Sequence, residues 1–328
     1  MKKKLYTAII ILNYNNFEDT INCIESIEKF NSAPIKYIVV ENGSKRANSL
    51  EKLEDYMLGK FSHKYLRIVV GEQKPKNLPK ATLLVNNINE GYAMGNNRGL
   101  ELIDSDNEVS HVMILNNDVL FIDDIIPTLL SEKNKLNDCA IISPALYKKD
   151  MSEYDYTCAR MAPSTWALIK ESLMLGLNYN TYRDVIKKKY WLFIKNPNLK
   201  NKSLLEIEMP SGSCMLLEKR VFKDLGWFDP KTFLYYEENI LYSKVYARGW
   251  KNYLLPQLRC IHLGASSTKK VASSFIQQCG LESRTYYLKS YCHLTIVQKT
   301  VYAFAYALLS LKLFLVKLIK ENNIKSDL

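Results

Sequence analysis

The chain has 328 residues, of which 47% are hydrophobic and 24% are charged. This composition excludes a disordered chain, and it supplies enough apolar residues for one large domain or one domain with an appendage. Lys and Arg number 45 against 34 Asp and Glu, and the net charge of +11 favours an anionic partner. That partner could be nucleic acid, a phosphorylated small molecule or an acidic membrane surface, and charge alone does not choose between them.

The cysteines and the N-terminus bear on the compartment. The seven cysteines are odd in number and include no CxxC pair, so neither a zinc knuckle nor a disulfide framework is indicated. A reducing cytoplasm fits this pattern best. The basic start Met1–Lys4 and the apolar run Leu5–Leu12 superficially resemble a signal peptide, but the run is short and no small-residue cleavage site follows. We therefore predict that this run is the first strand of a sheet.

Apolar strand-like runs alternate with helical patterns along the first half of the chain, which predicts crossover units and a mainly parallel sheet. The predicted strands are Thr7–Leu12, Lys36–Val40, Thr82–Val85, His111–Leu115 and Ala140–Ser143. Helices are predicted where Ile21, Ile24, Ile27 and Phe30 share a stripe and near Leu50–Met57. We interpret the aromatic and basic segment at about 148–206 as an insertion of helices and loops. Regular patterning returns at Met209–Leu217 and continues to about Leu263, after which the pattern predicts helices.

Three polar clusters follow predicted strands. The strand His111–Leu115 delivers Asn116, Asn117 and Asp118 at its end. Because ligands of open α/β sheets bind beyond the carboxyl ends of strands, Asp118 could hold Mg²⁺ or Mn²⁺ beside a diphosphate. The clusters Asn13-Tyr14-Asn15 and Glu41-Asn42-Gly43-Ser44 could bind a nucleobase or ribose. Each cluster taken alone is more typical of a polar loop with Asx-type turns than of a binding site.

Two further clusters are rich in glycine or in acid. Residues Asn89–Gly99 have the spacing Gly-x3-Gly-x3-Gly, which suits close approach of backbone to a helix or a phosphate. It is not the dinucleotide fingerprint, so a nicotinamide cofactor is not supported. Glu237 and Glu238 precede a predicted helix, Ile240–Arg248, and could simply complement its positive end. Since neighbouring helical residues do not share a face, at most one of the two is expected to act as a base.

The order of these motifs resembles bacterial family 2 glycosyltransferases of the GT-A fold, particularly the rhamnosyltransferase-like branch that builds capsular, O-antigen and exopolysaccharide chains. The resemblance runs through Ile9–Asn15, Val39–Ser44, Asn89–Gly99, Leu115–Asp118, Pro210–Leu217, Gly226–Leu241 and Pro256–Thr268. It implies an α/β fold with a mainly parallel central sheet flanked by helices. The implied division is a catalytic domain at 1–265, carrying the insertion, and a helical C-terminal extension at 266–328.

The resemblance also implies roles for individual residues. Asp118 corresponds to the metal and diphosphate residue of the family's Asp-x-Asp motif, whose first acidic position is Asn116 here. Glu238 stands where the family usually has a catalytic Asp, and His262 matches a histidine often near the metal, although a structural role for it stays open. The implied acceptor-side residues are Ser211, Gly212 and Glu237. The implied donor-binding residues are Asn13, Asn15, Glu41, Asn42, Ser44, Asn89, Gly91, Gly95, Asn96 and Asn117.

The function implied is inverting, Mg²⁺- or Mn²⁺-dependent transfer of a sugar from a dTDP- or UDP-sugar to a hydroxyl of a glycan or of a lipid-diphosphate-linked acceptor. A catalytically silent nucleotide-sugar-binding protein is the alternative, because Glu238 departs from the usual Asp. Nucleic acid is not an expected partner, since the chain lacks helix-turn-helix, zinc and RNA-binding motifs. A nucleotidyltransferase would carry a basic glycine-rich loop where this chain has Asn13–Asn16.

The C-terminal tail contains an uncharged stretch, Thr300–Leu311, followed by apolar residues interspersed with Lys312, Lys317 and Lys320. A helix that spans a bilayer needs about 20 predominantly apolar residues, so this stretch is marginal. The pattern predicts either an interfacial membrane helix or a helix packed on the catalytic domain. The expected location is therefore the cytoplasm, and an interfacial tail would place the protein at the inner face of the plasma membrane.

Overall fold

The computed structural model describes residues 4–177, 188–264 and 273–326. Within these ranges the main sheet has ten strands, and a small two-stranded sheet lies beside it. The strands are β1 (Tyr6–Asn13), β2 (Ile35–Asn42), β3 (Tyr65–Val69), β4 (Ala81–Asn86), β5 (Val109–Asn116), β6 (Val119–Phe121), β7 (Cys139–Tyr147), β8 (Ala159–Arg160), β9 (Leu205–Ile207), β10 (Met209–Pro210), β11 (Cys214–Glu218) and β12 (Lys251–His262).

The helices flank this sheet. They are α1 (Phe17–Phe30), α2 (Ser49–Phe61), α3 (Gly91–Ile103), α4 (Ile125–Lys133), α5 (Thr165–Gly176), α6 (Leu192–Lys195), α7 (Lys219–Asp224), α8 (Glu237–Ala247), α9 (Ser273–Ser290) and α10 (Ile296–Ser326). Short 3-10 turns occupy Ser62–Lys64, Tyr156–Cys158 and Pro197–Asn201. The sequence prediction of a sheet flanked by helices with a helical C-terminus is confirmed.

The two faces of the sheet form separate cores because successive side chains of a strand point to opposite faces. On β1, Ile9 and Ile11 pack in one core with residues of α1, α2 and α4. Ala8 and Ile10 pack in the other core with residues of α3, α7 and α8. The apolar runs predicted from the sequence are therefore buried on both faces, as expected for strands covered by helices.

The strand order is β3-β4-β2-β1-β5-β11-β7-β12-β6, with β9 beside β12. Strands β1, β2, β4 and β5 are parallel to one another. Consequently Asn13, Asn42 and Asn116 end their strands at the same edge of the sheet. Strand β11 runs antiparallel to β5, so its first residue, Cys214, pairs with Leu115 at that edge. The loops that precede β11 therefore meet the loops that follow β1, β2 and β5.

The structure also contains elements that the sequence analysis did not predict. Strand β3 is an edge strand with a mixed burial pattern, so it lacks the apolar run by which the inner strands were predicted. In the predicted insertion at 148–206, helices α5 and α6 are accompanied by the short strands β8 and β9. Tyr179, Tyr182 and Lys187 of that segment and the predicted domain boundary at 265/266 lie outside the described residues.

Helix α10 packs lengthwise against α5 and also contacts α9. One face of it is buried through Tyr302, Ala305, Leu309 and Leu313, whereas Phe304, Leu311 and Phe314 are exposed. By length and composition, Ile296–Val316 could cross a membrane. The sequence analysis predicts either an interfacial membrane helix or a helix packed on the domain, and this helix packs one face on the domain while apolar side chains of another face stay exposed.

Candidate active site

Asp118 and His262 meet at the carboxyl edge of the sheet. Strand β6 pairs antiparallel with the end of β12, where Val119 lies opposite His262. Asp118 comes directly before Val119 in the chain, so this pairing brings the imidazole of His262 next to Asp118. His262 Nε2 lies 3.4 Å from Asp118 Oδ1, and both side chains are largely buried. The structure thus brings together the two residues implied as metal ligands.

Asp155 holds the other side of the His262 ring. The distance between His262 Nδ1 and Asp155 Oδ2 is 2.7 Å, and the Asp155 side chain also accepts a hydrogen bond from the amide of Thr157. Burial lowers the pKa of His262, but the hydrogen bonds to Asp118 and Asp155 outweigh it and raise the pKa to about 10. Burial raises the pKa of Asp155, but the hydrogen bonds from His262 and Thr157 and the charge of His262 together bring the pKa below its ordinary value. The imidazole is therefore fixed in orientation between two carboxylates.

The carboxylate of Asp118 and the imidazole of His262 fit a divalent cation that takes its remaining ligands from other molecules. Two neighbouring ligands of an octahedral Mg²⁺ lie roughly 3 Å apart, close to the 3.4 Å between Asp118 and His262. A carboxylate oxygen suits Mg²⁺ or Mn²⁺, and neutral imidazole nitrogen is a common ligand of transition metals. Because the pKa of His262 is raised to about 10, a cation that binds Nε2 would have to displace the proton held there. Across the described ranges, no group of three or more His, Cys, Asp or Glu side chains is arranged to hold a metal. Most of the coordination shell would therefore come from a bound diphosphate and water.

Glu238 is the central residue of a second half of the site, beside the half formed by Asp118 and His262. Its Oε1 atom accepts a hydrogen bond from the amide of Gly212 at 3.1 Å and lies 3.3 Å from Nη2 of Arg160. Tyr92 fixes the same loop, because its hydroxyl donates to the Gly212 carbonyl at 2.6 Å. The pairing of β8 with β10 aligns Arg160 with Met209, which explains how a residue of the insertion reaches Glu238.

Ser213 connects the two halves of the site. Its hydroxyl oxygen is 3.4 Å from His262 Nε2 and accepts a hydrogen bond from Asn116 Nδ2 at 3.2 Å. Gly212, the preceding residue, contacts Glu238. The segment Ser211–Ser213 therefore lies between the candidate metal ligands and the candidate base.

The loop before α8 has an unusual backbone that positions Glu238. Tyr235 and Tyr236 have φ values of 72° and 71°, a conformation that costs free energy outside glycine. The carbonyl of Phe233 accepts a hydrogen bond from the amide of Tyr92 at 2.8 Å. Gly91 permits this contact, since it has a φ of +80° and a Cβ atom there would lie 2.2 Å from the Phe233 carbonyl oxygen. The glycine motif thus supports the candidate base through the backbone.

Glu237 behaves differently from Glu238. It is 6% exposed, and burial together with the charge of Glu238 raises its pKa to about 8. Glu238, in contrast, is partly exposed, so the two adjacent carboxylates lie in different surroundings. Because Glu237 is buried, its side chain is not accessible to an acceptor.

The donor-side loops form a connected polar network. Glu41 is buried and accepts hydrogen bonds from the Asn13 side chain and from the amide of Ser44, the latter at 2.7 Å. The Ser44 hydroxyl accepts one from the amide of Asn15 at 2.8 Å. Carboxylate oxygens have further lone pairs, so Glu41 can still accept a hydrogen bond from a base. The candidates Asn13, Asn15, Glu41 and Ser44 are therefore brought together.

The remaining donor-side candidates are used inside the protein. Asn42 donates to Asn89 and to the Gly91 carbonyl, at 3.0 and 3.1 Å. Asn117 donates to the Asn16 carbonyl and the Thr20 hydroxyl, and Asn96 donates to the Tyr92 carbonyl. A Cβ atom on Gly95 would lie 2.6 Å from Leu12 Cδ1, so this glycine lets α3 approach the sheet. These contacts indicate that the six residues shape the site from within the protein.

Sequence reasoning missed Asp155 and Arg160, which both contact candidate residues directly. Both come from the segment interpreted as an insertion without regular pattern. Asp155 carries one usable signal, because Asp followed by Tyr156-Thr157 is typical of a turn capped by a side chain. No pattern in the sequence links it to His262, which is 107 residues away.

Comparison with known proteins gives the following. The sequence model of the family described as "Glycosyl transferase family 2" matches residues 8–226, and among curated proteins no sequence match was found. A solved structure of GalNAc-T7 with UDP, GalNAc and Mn²⁺ has a TM-score of 0.53 at 15% identity, covering 80% of this chain and 44% of that one. The present chain thus spans less than half of that protein.

A second solved structure is the mannosyltransferase PcManGT from Pyrobaculum calidifontis in complex with GDP-Man and Mn²⁺. It has a TM-score of 0.54 at 11% identity and covers 94% of this chain and 75% of that one. At these identities the two matches establish a common fold.

Proposed function

Because the chain belongs to glycosyl transferase family 2, we propose that it transfers a sugar, with inversion, from a dTDP- or UDP-sugar to an acceptor hydroxyl. Within the proposal, Glu238 is the base and Asp118 with His262 holds Mg²⁺ or Mn²⁺. The two solved neighbours contain Mn²⁺ and a nucleotide or nucleotide sugar, which supports a cation and a nucleotide-sugar donor here.

One observation carries the proposal. The adjacent residues Gly212 and Ser213 contact Glu238 and His262 respectively. The candidate base and the candidate metal ligands are therefore separated by a single short segment, which supports a site in which one donor sugar faces both. A site divided between unrelated cavities would not support inverting transfer.

The chemistry follows from what each group can do. Glu238 accepts the proton of the acceptor hydroxyl as that oxygen attacks the anomeric carbon from the side opposite the nucleoside diphosphate. The amide of Gly212 and the guanidinium of Arg160 orient the carboxylate for this step. When bound, the cation offsets the negative charge that develops on the leaving diphosphate. The connected polar side chains of Asn13, Glu41 and Ser44 bind the nucleoside.

The biological setting is part of the proposal. The resemblance to the rhamnosyltransferase-like branch suggests rhamnosyl or another hexosyl transfer during synthesis of a surface polysaccharide, on a glycan or lipid-diphosphate-linked acceptor. We place the enzyme in the cytoplasm, with α10 contacting the inner face of the plasma membrane. The exposed apolar residues of α10 and the absence of Asp and Glu between Glu282 and Glu321 support contact with an anionic bilayer.

A thermal-shift screen tests the donor class directly. Purified protein is mixed with dTDP-, UDP- and GDP-sugars, each with Mn²⁺, Mg²⁺ or EDTA, because selective binding raises the apparent melting temperature. Stabilisation by a dTDP- or UDP-sugar that requires the cation supports the proposal. Stabilisation without release of nucleoside diphosphate during incubation with acceptor mixtures would instead indicate a nucleotide-sugar-binding protein. No stabilisation by any donor would refute both.

Vesicle sedimentation tests the membrane contact. Full-length protein should sediment with vesicles that contain anionic phosphatidylglycerol, and Phe304→Ser with Phe314→Ser should reduce the bound fraction. Leu58→Ser, which removes an exposed apolar side chain from α2, serves as the control. Equal binding by all proteins would exclude α10 as the contact.

A further inference from the structure

A cavity of about 640 Å³ lies beside Glu238 and extends to the C-terminal helices. Residues of the insertion, of the loop before α8 and of helices α5, α9 and α10 line it. The cavity is therefore formed by the parts of the chain that surround the acceptor side of the site.

Most side chains that line the cavity are apolar or aromatic. They include Met161, Leu168, Trp191, Leu281, Leu309 and Val316. A purely hydrophilic glycan would leave this surface without suitable partners, whereas a hydrocarbon chain would remove it from water at a gain proportional to the area covered.

The charged side chains in the lining already have partners. Arg284 donates to Tyr236 and Ser172 and lies 3.4 Å from Glu171, and Lys312 donates to the Leu175 carbonyl at 2.7 Å. Arg160 lies against Glu238. These interactions hold the charges in place at the wall, so the space between them is suited to an apolar occupant.

The cavity also connects the candidate base with the exposed face of α10. Glu238 and Val316 both belong to its lining, and Val316 is 36% exposed. Leu311, Phe314 and Leu315 on the same helix are exposed as well. A chain seated in the cavity could thus leave it along α10, next to the surface proposed to contact the bilayer.

We propose that this cavity binds the hydrocarbon chain of a lipid-linked acceptor, with the acceptor's sugar hydroxyl at Glu238. The inference rests on the proposed function and narrows the acceptor from a glycan or lipid-linked glycan to an amphiphile. The occupant is a lipid because the lining is largely apolar or aromatic, Glu238 belongs to it, and the apolar residues Leu309 and Val316 of α10 belong to it too.

Calorimetric titration with n-alkyl β-glucosides tests the inference on the full-length protein. Methyl, hexyl, octyl and decyl glucosides are used below their micelle concentrations. Each buried methylene tightens binding by up to about fourfold, so the dissociation constant should fall by more than about tenfold from hexyl to decyl. An affinity that does not depend on chain length would overturn the inference.

Variants locate the bound chain. Ala167→Phe on α5 fills the cavity, and Gly280→Leu fills it from α9, where a Cβ atom would lie 3.7 Å from the ring of Tyr235. Both variants should weaken decyl glucoside binding at least tenfold. Lys170→Phe adds the same ring to an exposed position of α5 and should leave binding unchanged. Loss of binding in Phe314→Ser with retention in Ala167→Phe and Gly280→Leu would place the chain on the surface and overturn the inference.

Donor binding measured on the same samples separates this inference from the proposed function. Ala167→Phe and Gly280→Leu should bind the stabilising nucleotide sugar as the wild type does. A wild-type protein that binds decyl glucoside but no nucleotide sugar would refute the transfer chemistry while retaining the cavity. Normal donor binding without any affinity for alkyl chains would refute the lipid site alone.

Discussion

Glu238 accepts a hydrogen bond from the amide of Gly212 at 3.1 Å, and the fit between these two residues is close. A Cβ atom on residue 212 would lie 3.2 Å from Glu238 Oε1 and 3.0 Å from the Tyr92 hydroxyl. The candidate base is thus positioned by backbone that tolerates no side chain without adjustment. Changes in the loops around Glu238 should therefore affect transfer even where they do not touch a substrate.

Gly91→Ala should destabilise the protein and reduce transfer. The new Cβ would collide with the Phe233 carbonyl, and a φ of +80° costs a residue other than glycine about 1 to 3 kcal/mol. Urea denaturation measures the free energy of unfolding. Gly59→Ala in α2 is the control, because a Cβ atom meets nothing within 4 Å there and should stabilise the helix by up to about 1 kcal/mol. Equal effects of the two substitutions would contradict the role given to Gly91.

Asp118→Ala should weaken cation-dependent donor binding and lower the transfer rate. Loss of a comparable electrostatic contact costs roughly 3 to 4 kcal/mol in the transition state, or about 10² to 10³ in rate. Calorimetric titration of the nucleotide sugar in the presence of Mn²⁺ measures the change in donor affinity. Asp55→Ala on the exposed face of α2 controls for the loss of charge. Unaltered Mn²⁺ dependence in Asp118→Ala would exclude this residue as a ligand.

Asp155→Asn should act through His262. The substitution keeps the shape of the side chain but removes the charge that orients the imidazole, and loss of such a partner typically reduces metal affinity about 10- to 100-fold. The Mn²⁺ concentration needed for half-maximal transfer should rise, with a smaller change at saturating Mn²⁺. A matched substitution, Asp150→Asn, lies on an exposed turn nearby and should have no effect. If the Mn²⁺ requirement is unchanged in Asp155→Asn, His262 does not depend on this contact.

Glu237 should make the stability of the protein depend on pH. Its pKa in the folded state is raised to about 8, whereas a Glu in the unfolded chain titrates near about 4.3. Between these values the folded state holds the additional proton, so the contribution of Glu237 to stability is lost as the pH rises through this range. Glu237→Gln, which is neutral throughout, should flatten the decline in unfolding free energy between pH 5 and pH 8, and Glu51→Gln should not. If the unfolding free energy of Glu237→Gln declines with the same slope as that of the wild type, the raised pKa of Glu237 is refuted.

The sequence predicted the central strands because β1, β2, β4, β5 and β7 are apolar on both faces. For the same reason it predicted that Asp118 ends up at the sheet edge. It could not distinguish polar residues that face a ligand from those that bond within the protein. Asn117 and Asn42 have the residue types of a binding loop, yet their amides are used by Thr20 and Asn89.

The part of the site contributed by the insertion was not predictable. Arg160 reaches Glu238 through the pairing of two-residue strands, β8 with β10, which leave no periodic pattern in the sequence. The pairing of Asp155 with His262 likewise depends on how a long irregular segment folds back on the sheet. Both contacts are determined by tertiary structure, which local sequence patterns do not encode.

The most direct test of the account is the transfer rate of Glu238→Gln compared with its donor affinity. The substitution keeps the size of the side chain but removes the proton acceptor, and general-base catalysis is typically worth about 10² to 10⁴ in rate. The account predicts a loss of that size, with the donor dissociation constant within about twofold of the wild type and Glu51→Gln fully active. A folded Glu238→Gln protein that transfers sugar at nearly the wild-type rate would contradict it.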